Sequence, residues 1–340
     1  MLALVERLPG KKGNDMAESA KALNNRLDFT DMHPAQQDVV AEVLDGLNQP
    51  QKTLSPKFFY DERGSQLFES ITEQPEYYPT RAERMVLRNK APDIARHVGE
   101  GAMLIEPGCG SCEKVRLLLD ALQPSRYVAM DISSEFLLTA ANTVAGDFPE
   151  LDIQAVCADF SQLDDLELEA SPARRVAFFP GSTLGNFTPE MARNFLRSVR
   201  HMVGDDGGLL IGVDRHKDAD TLTAAYNDQA GVTAAFNLNA LTHLNRILPA
   251  DFDTEAFRHR AFYNTDARRV EMHLESLRDQ SVQCAGQRVG FRVGETIHSE
   301  NSYKYTDDDF SALARDTGFA VEADWSDAQS LFSVFYCRAN

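Results

Sequence analysis

Long apolar runs are absent from this 340-residue chain, and so is any excess of positive charge. No stretch approaches the ~20 apolar residues that a helix needs to cross a bilayer, so no membrane association is expected. The opening MLALVERLPGKKGND has a short apolar run with Glu6 inside it, which does not fit a secretory leader. Basic runs are limited to Lys11-Lys12, Arg174-Arg175 and Arg268-Arg269, against a net charge of −18. A nucleic-acid binder needs a basic stripe to displace phosphate counterions, so no nucleic-acid partner is expected. Cysteine is scarce: five residues, odd in number and scattered, which fits a reducing cytoplasm. The lone CxxC, Cys109 to Cys112, lacks the second pair that a structural zinc site requires. It reads as part of a loop, with a redox motif as the weaker alternative, and no metal is expected.

The 43% of hydrophobic residues is enough for two domains or one enlarged domain. Residues 1–35 are polar and without clear period, and read as a mobile or weakly docked arm. Gln36 to Leu47 has helical apolar spacing, and the aromatic-rich stretch after it, broken by Pro56, Gly64, Pro75 and Pro79, reads as short helices and turns. From Ala102 the character changes. Short apolar strands (Ala102–Glu106, then RYVAMDIS ending at Asp131, DIQAVCADF, RRVAFFPGSTLGNF with a turn at its end, and GGLLIGVD) alternate with amphipathic helices, the pattern of a parallel, doubly wound α/β sheet. The rhythm breaks after Asp214: residues 217–263 read as helical and 268–304 as strands. A helix from Asp307 to Thr317 and two final strands, antiparallel at the edge, then complete seven strands. The expected division is a nucleotide-binding domain over 81–216 and 305–340, interrupted by a second, α+β domain over 36–80 and 217–304.

Three successive strand ends carry candidate ligand groups. The turn Glu106-Pro107-Gly108-Cys109-Gly110-Ser111 links a strand to a helix, where glycine lets backbone approach a ligand and the helix N-terminus favours an anion. Alone, such a turn is a weak signal. Asp131 ends the next strand, at the spacing where an acid accepts both hydroxyls of an adenosine ribose. Asp159-Phe160 ends the third, offering an acid for the adenine amino group and a ring beside the base. A dinucleotide site would show a third glycine in GxGxxG, but Glu113 stands at that position. Lys114, in the first turn of the helix, could pair with the carboxylate of a methionine moiety. The set therefore suits S-adenosylmethionine better than a pyrophosphate.

With these residues in place, the chain resembles the histidine-specific Nα-methyltransferases of the ergothioneine pathway, which trimethylate histidine to hercynine. The likeness runs from about residue 50 to 340 through KFFYDERGSQLFESIT, PEYYPTRAE, CGSCEKVRLLLDAL, ADF, FFPGSTLGNFTP, AYNDQAGVTAAFNLNALTHLNRIL and the block Glu300-Asn301-Ser302-Tyr303-Lys304. It implies a Rossmann-like seven-stranded class I methyltransferase sheet with an inserted α+β substrate-binding domain. It also implies S-adenosylmethionine at Gly108, Lys114, Asp131, Asp159 and Phe160. The amino-acid pocket would comprise Tyr60, Tyr77, Gly181, Asn186, Tyr226, Met272, Glu300 and Ser302. Asn186 and Tyr226 would hold the substrate carboxylate, with Tyr60 and the Gly181 backbone near the amine. Glu300 and Ser302 would bind the imidazole, beside Tyr77, and Met272 would shape the cavity. Where the family commonly has Gly-Ser-Gly-Thr-Ser in the cofactor turn, this chain has Gly108-Cys109-Gly110-Ser111-Cys112, a small change.

Each residue also has a plainer reading: Tyr60 and Tyr77 as core aromatics, Asn186 as a turn residue, Met272 as a core side chain. Glu300 and Ser302 say more, because residues two apart on a strand share a face and can address one ring. For the chemistry, Tyr60 is the candidate catalytic group, orienting an amine whose proton leaves through water or a neighbouring acceptor. The alternatives are an N-methyltransferase for another small or aromatic amino acid, a dinucleotide oxidoreductase, and a non-catalytic S-adenosylmethionine-binding module. An acid facing the side chain suits imidazole and is poorly matched to phenyl or indole.

Overall fold

The computed structural model describes residues 27–32, 36–159, 163, 168 and 171–340. Its main sheet is built on five parallel strands in the order β5-β4-β3-β6-β7. These are β3 (Met103–Pro107), β4 (Arg126–Asp131), β5 (Asp152–Cys157), β6 (Arg175–Phe179) and β7 (Gly208–Asp214). Beyond β7 come β14 (Phe332–Ala339), antiparallel to it, and then β13 (Phe319–Ser326) at the edge. The seven expected strands are thus present.

An eighth strand joins them. β1 (Leu27–Asp31) pairs in parallel with β5 at the opposite edge. These five residues fall inside the segment read from sequence as a loose arm; the strand is short and one-sided, with only Leu27 fully buried, so the sequence carries little periodicity to reveal it. The rest of the arm up to residue 26 lies outside the described residues.

The strands are apolar throughout because both faces of the sheet are covered. On β3, Leu104 packs into one core, while Met103 and Ile105 pack into the other. On β4, Tyr127 and Ala129 join the first core, and Val128 and Met130 the second. The first core is roofed by α3 (Tyr78–Val98), α4 (Glu113–Leu122) and α5 (Ser134–Asp147). The second is roofed by α6 (Pro189–Val203) and α9 (Asp307–Asp316).

A second sheet of four strands has the order β2-β12-β9-β8, with β2 (Lys52–Thr53), β12 (Thr296–Tyr303), β9 (Arg269–Ser276) and β8 (Phe257–Asn264). The hairpin of β10 (Gln280–Cys284) and β11 (Gln287–Phe291), together with α1 (Gln36–Leu47) and α8 (Val232–Ile247), completes a separate core around Leu274 and Ile297. The sequence reading assigns residues up to 263 to helix, and β8 corrects it. Its residues Phe257-Arg258-His259 alternate buried, exposed and half-buried, a strand period masked by the surrounding polar residues.

The unusual asparagine content of α8 has a structural cause. Buried Asn237 donates from Nδ2 to the His273 carbonyl (3.0 Å), and buried Asn239 donates to Asp61 Oδ1 (2.8 Å). Asp61 in turn caps α2 (Glu62–Thr72), accepting from Gly64 N. His243 Nδ1 meets the Phe58 carbonyl at 2.9 Å. This helix therefore pins the 55–61 segment, which carries Tyr60, onto the second sheet through buried hydrogen bonds that cannot be lost cheaply.

The helix that leads back into the main sheet, α9, begins with a capping box. Thr306 Oγ1 accepts from Asp309 N (3.1 Å), and Asp309 Oδ2 accepts from Thr306 N (3.3 Å). Thr306→Ala should cost about 1 kcal/mol of stability, read as an earlier urea midpoint at unchanged slope.

Candidate active site

The ends of β3, β4 and β5 open onto one cavity of about 280 Å³. Its wall includes Gly108, Lys114, Asp131 and Asp159, four of the residues expected to hold a cofactor, and also Tyr60, Gly181 and Asn186 from the expected substrate set. Phe160 lies outside the described residues.

The turn after β3 takes left-handed backbone at Gly108 (φ 70°) and Gly110 (φ 54°), a conformation that costs glycine little. It lets Gly110 N donate to Asp131 Oδ2 at 3.0 Å, while Ser133 N donates to Oδ1 at 3.0 Å. Burial raises the Asp131 carboxyl above its usual range, and these amides work against that shift. Each oxygen keeps a second lone pair for a ligand hydroxyl. Asp159 pairs with Lys57 Nζ at 3.0 Å, and Lys57 also reaches Glu42 on α1 at 2.5 Å. Lys57 sits in the single helical turn Pro56–Phe59, so this ion pair crosses from the 55–61 segment to the main sheet.

Glu106, at the end of β3, also lines the cavity. Tyr127 donates to its Oε2 at 2.5 Å, while Oε1 is buried without a partner. Burial holds this carboxyl well above the usual carboxylate range. An orphaned polar atom on the wall of a cavity is what a site shaped for a polar ligand leaves behind, and the donor set around it fits a nucleoside cofactor. Cys109 and Cys112 are both buried and free. Burial pushes the Cys109 thiol well up, away from the thiolate that redox exchange requires.

Beside the cofactor groups, Glu83 of α3 is 1% exposed. Its carboxylate accepts from Gly181 N at 2.9 and 3.0 Å and pairs with Lys114 Nζ at 2.7 Å. The loop after β6 is thereby tied to the first turn of α4. The Gly181 N–H is used up in this contact, and among the described residues nothing donates to its carbonyl.

The remaining expected residues gather behind Tyr60. Tyr60 packs edge-on to Phe68 (5.9 Å between ring centroids), Phe68 to Tyr77 (6.3 Å), and Tyr77 to Tyr226 (6.1 Å). Met272, 2% exposed on β9, stands opposite Glu300 on β12. The register slips between His298 and Glu300, so Ser299 is an extra residue in the strand. Such a bulge re-aims the side chains beyond it. Ser299 is fixed by Asn237, its Oγ 2.7 Å from Asn237 Oδ1. Glu300 and Ser302 then face the tyrosines together.

Among the described residues nothing hydrogen-bonds the Glu300 carboxyl, and the residue keeps some accessible surface although its carboxyl lies deep. Burial pushes it up to about 8, against the opposing pull of Lys304. Burial also raises the phenols of Tyr60, Tyr77 and Tyr226 well above their ordinary value, and negative charge on Glu300 adds to the effect. All three remain neutral at physiological pH. Asn186 ends the single helical turn Thr183–Asn186, and its amide has no protein partner among the described residues. Gly185 lets this turn approach β12, since a Cβ there would lie 2.8 Å from the Tyr303 carbonyl.

Ser302 and Tyr226 are also linked directly, Oγ to OH, at 2.6 Å. Behind them lies a group the sequence reading passed over. Asp214, fully buried at the end of β7, is held by Lys304 (2.6 Å), Lys217 (2.6 Å) and the Tyr78 hydroxyl (2.8 and 2.9 Å). Although burial opposes it, the two lysines keep this carboxyl below its usual range. Glu83, Lys57 and Lys304 were likewise missed, because each acts through a partner far away in sequence. Asp214 left one signal: an acid closing an otherwise apolar strand. Away from the cavity, Glu271, His273 and His298 lie within metal-ligand spacing. Glu271 is already paired with Arg269 at 2.7 Å, and the two imidazoles stack at 4.5 Å and 15°, so their in-plane lone pairs run side by side and do not converge.

No helix among the described residues is long and apolar enough to cross a membrane. The architecture is the Rossmann-like class I methyltransferase fold. The profile of a family described as histidine-specific methyltransferase, SAM-dependent, matches residues 39–339. A histidine N-alpha-methyltransferase of Mycolicibacterium smegmatis is 38% identical over 299 residues, covering 86% of this chain and 92% of the relative. One from Mycobacterium tuberculosis is 38% identical over 301 residues, with coverage of 86% and 92%. An L-tryptophan methyltransferase of Psilocybe serbica is 28% identical over 338 residues, covering 88% and 92%. The match spans nearly the whole chain, and the chain belongs to the histidine-specific, S-adenosylmethionine-dependent methyltransferase family.

Proposed function

We propose that this protein methylates the α-amino group of L-histidine, carrying it to the trimethylated betaine hercynine, with S-adenosylmethionine as donor. The observation that supports this most is the unpaired Glu300 carboxyl, set with Ser302 and Met272 among three neutral tyrosines. At neutral pH this carboxyl carries its proton for much of the time. It can share that proton with a ring nitrogen, which suits imidazole and has no counterpart in a phenyl ring.

The cofactor supplies an electrophilic methyl group on a sulfonium. Asp131 would accept from the ribose hydroxyls, Asp159 and Phe160 would meet the adenine, Lys114 the methionine carboxylate, and Gly108 gives the backbone room. Asn186 and Tyr226 hold the substrate carboxylate. The Gly181 carbonyl, to which nothing donates among the described residues, accepts from the substrate amine beside Tyr60. Positioning of the amine lone pair in line with the leaving sulfur is the main demand of such a transfer. Tyr60, whose proton is held tightly, orients the amine and does not take up its proton, which leaves through water. Its ring and that of Phe68 favour the cationic product.

Residues 81–216 and 305–340 serve as the cofactor-binding domain, joined by β1, and residues 36–80 and 217–304 as the substrate-binding domain. Five buried free thiols suit a cytoplasmic enzyme.

The first test is mass spectrometry of the protein with S-adenosylmethionine and single amino acids. Histidine should gain one, two and then three methyl groups; methylation of tryptophan in its place would overturn the pocket assignment. Asp131→Ala should weaken S-adenosylhomocysteine binding by at least about tenfold in calorimetry, as two charged hydrogen bonds are lost.

Glu300 also makes a pH prediction with a definite sign. Its folded value of about 8 lies above the ordinary 4.5, so the folded state holds this proton more tightly than the unfolded chain. Stability from this group is full below about 4.5 and is lost progressively as pH rises to about 8. Glu300→Gln should therefore gain thermal stability relative to the parent between pH 5 and pH 9, while Glu300→Ala should raise KM for histidine by about tenfold or more.

A further inference from the structure

Lys304 lies outside the cofactor cavity and is not among the residues assigned to the substrate. Its side chain is 0% exposed, and its ammonium makes three hydrogen bonds: to Asp214 Oδ2 (2.6 Å), Ser302 Oγ (2.8 Å) and Tyr226 OH (3.2 Å). An ammonium has three protons and no acceptor. Each of its protons is therefore committed, and each points away from Lys304.

This fixes the direction of every proton around it. Ser302 and Tyr226 each give one lone pair to Lys304 and sit 2.6 Å apart, so one of their two hydroxyl protons fills the gap between them. The other cannot turn inward, because Lys304 stands between the pair and the Asp214 carboxylate. It must face outward, toward the substrate. Without the ammonium, the buried carboxylate would be the strongest acceptor nearby, and a hydroxyl proton would turn to it.

We propose that Lys304 is a positioning residue that makes the Ser302–Tyr226 pair present a single outward proton, and that Tyr226 donates a hydrogen bond through this proton to the substrate carboxylate. A phenol is intrinsically a stronger hydrogen-bond donor than an aliphatic hydroxyl. Ser302 then gives its own proton to Tyr226 and keeps one lone pair, which accepts from a ring N–H. One buried cation thus sets opposite polarities at the two ends of the substrate: a donor for the carboxylate and an acceptor for the ring. Asp214 holds the ammonium in place, and its other oxygen is taken by Lys217 and Tyr78.

This inference rests on histidine as the substrate and on Tyr226 as the carboxylate donor. The test is a double-mutant cycle on histidine affinity, measured calorimetrically with the protein saturated by S-adenosylhomocysteine. Lys304→Met should weaken histidine binding by about tenfold or more and leave S-adenosylhomocysteine binding within about twofold. In a Tyr226→Phe background, where the outward proton is already gone, the same change should add less than about twofold, because the two residues act as one unit. If Lys304→Met leaves the neighbouring carboxylate too poorly compensated for folding, Asp214→Asn with Lys304→Met removes both charges. That pair should show the same loss and the same lack of additivity. Equal losses in both backgrounds, or no loss at all, would overturn the role of Lys304 while leaving the histidine reading intact. A parent protein that binds other amino acids but not histidine would overturn both.

Discussion

A carboxylate buried at the end of β7 is the constraint around which the second sheet is set against the first. Removing Asp214 from water carries a large desolvation cost, which only close opposite charge and full hydrogen bonding can offset. The chain meets that demand from three directions: Tyr78 at the start of α3, Lys217 just beyond the strand, and Lys304 at the end of β12. Satisfying one acid therefore docks the second sheet onto the first and fixes the helix that carries Glu83. Ion pairs of this kind add little net stability compared with apolar packing, so their value here lies in orientation. The lysine that neutralises the acid also touches two hydroxyls of the pocket.

The cofactor side is organised by a different rule. In a doubly wound sheet the C-terminal ends of the parallel strands converge on one edge, and each end can present one short turn. β3 contributes the glycine turn, β4 contributes Asp131, β5 leads into Asp159, and β6 leads into Gly181. Glu83 then locks two of these turns together by accepting from Gly181 N and pairing with Lys114. The site is rigid where backbone must be placed and is lined with uncommitted polar atoms where a ligand must be met: Glu106 Oε1, the Gly181 carbonyl, the Asn186 amide and the Glu300 carboxyl. Preorganised groups of this kind need little rearrangement when the ligand arrives.

How much of this the sequence revealed depended on the range of the interaction. Gly108, Asp131 and Asp159 were legible because strand-end chemistry is local: each comes after an apolar run that marks its own strand. Glu300 and Ser302 came from the resemblance to a family, with strand alternation adding only that the two share a face, and the bulge at Ser299 that aims them left no signal. Resemblance to a family supplied the rest of the substrate set. Glu83, Lys57 and Lys304 were hidden, since a charged residue on a helix or turn looks the same whether it meets solvent or a partner on another element. β8 was misassigned because its mostly half-buried, polar residues show only a faint period of two close behind a long helix. β1 escaped because one buried residue in five makes no pattern.

The placement of β14 has a consequence for how the molecule comes into being. It is an inner strand, flanked by β7 and β13, yet residues 332–339 are made long after the five parallel strands. Until they emerge from the ribosome, β7 is left with an unpaired edge that is apolar up to Asp214, the kind of template on which nascent chains stick to one another. Closing that edge requires joining strands separated by the entire second sheet, a contact of high sequence separation and hence a slow one. The four-stranded sheet, whose strands β12, β9 and β8 are close neighbours in sequence, can assemble meanwhile. Lys304, which follows that sheet directly in sequence, is likewise made ahead of the strand that seals the edge, so both partners of the ion pair at Asp214 precede β14 along the chain.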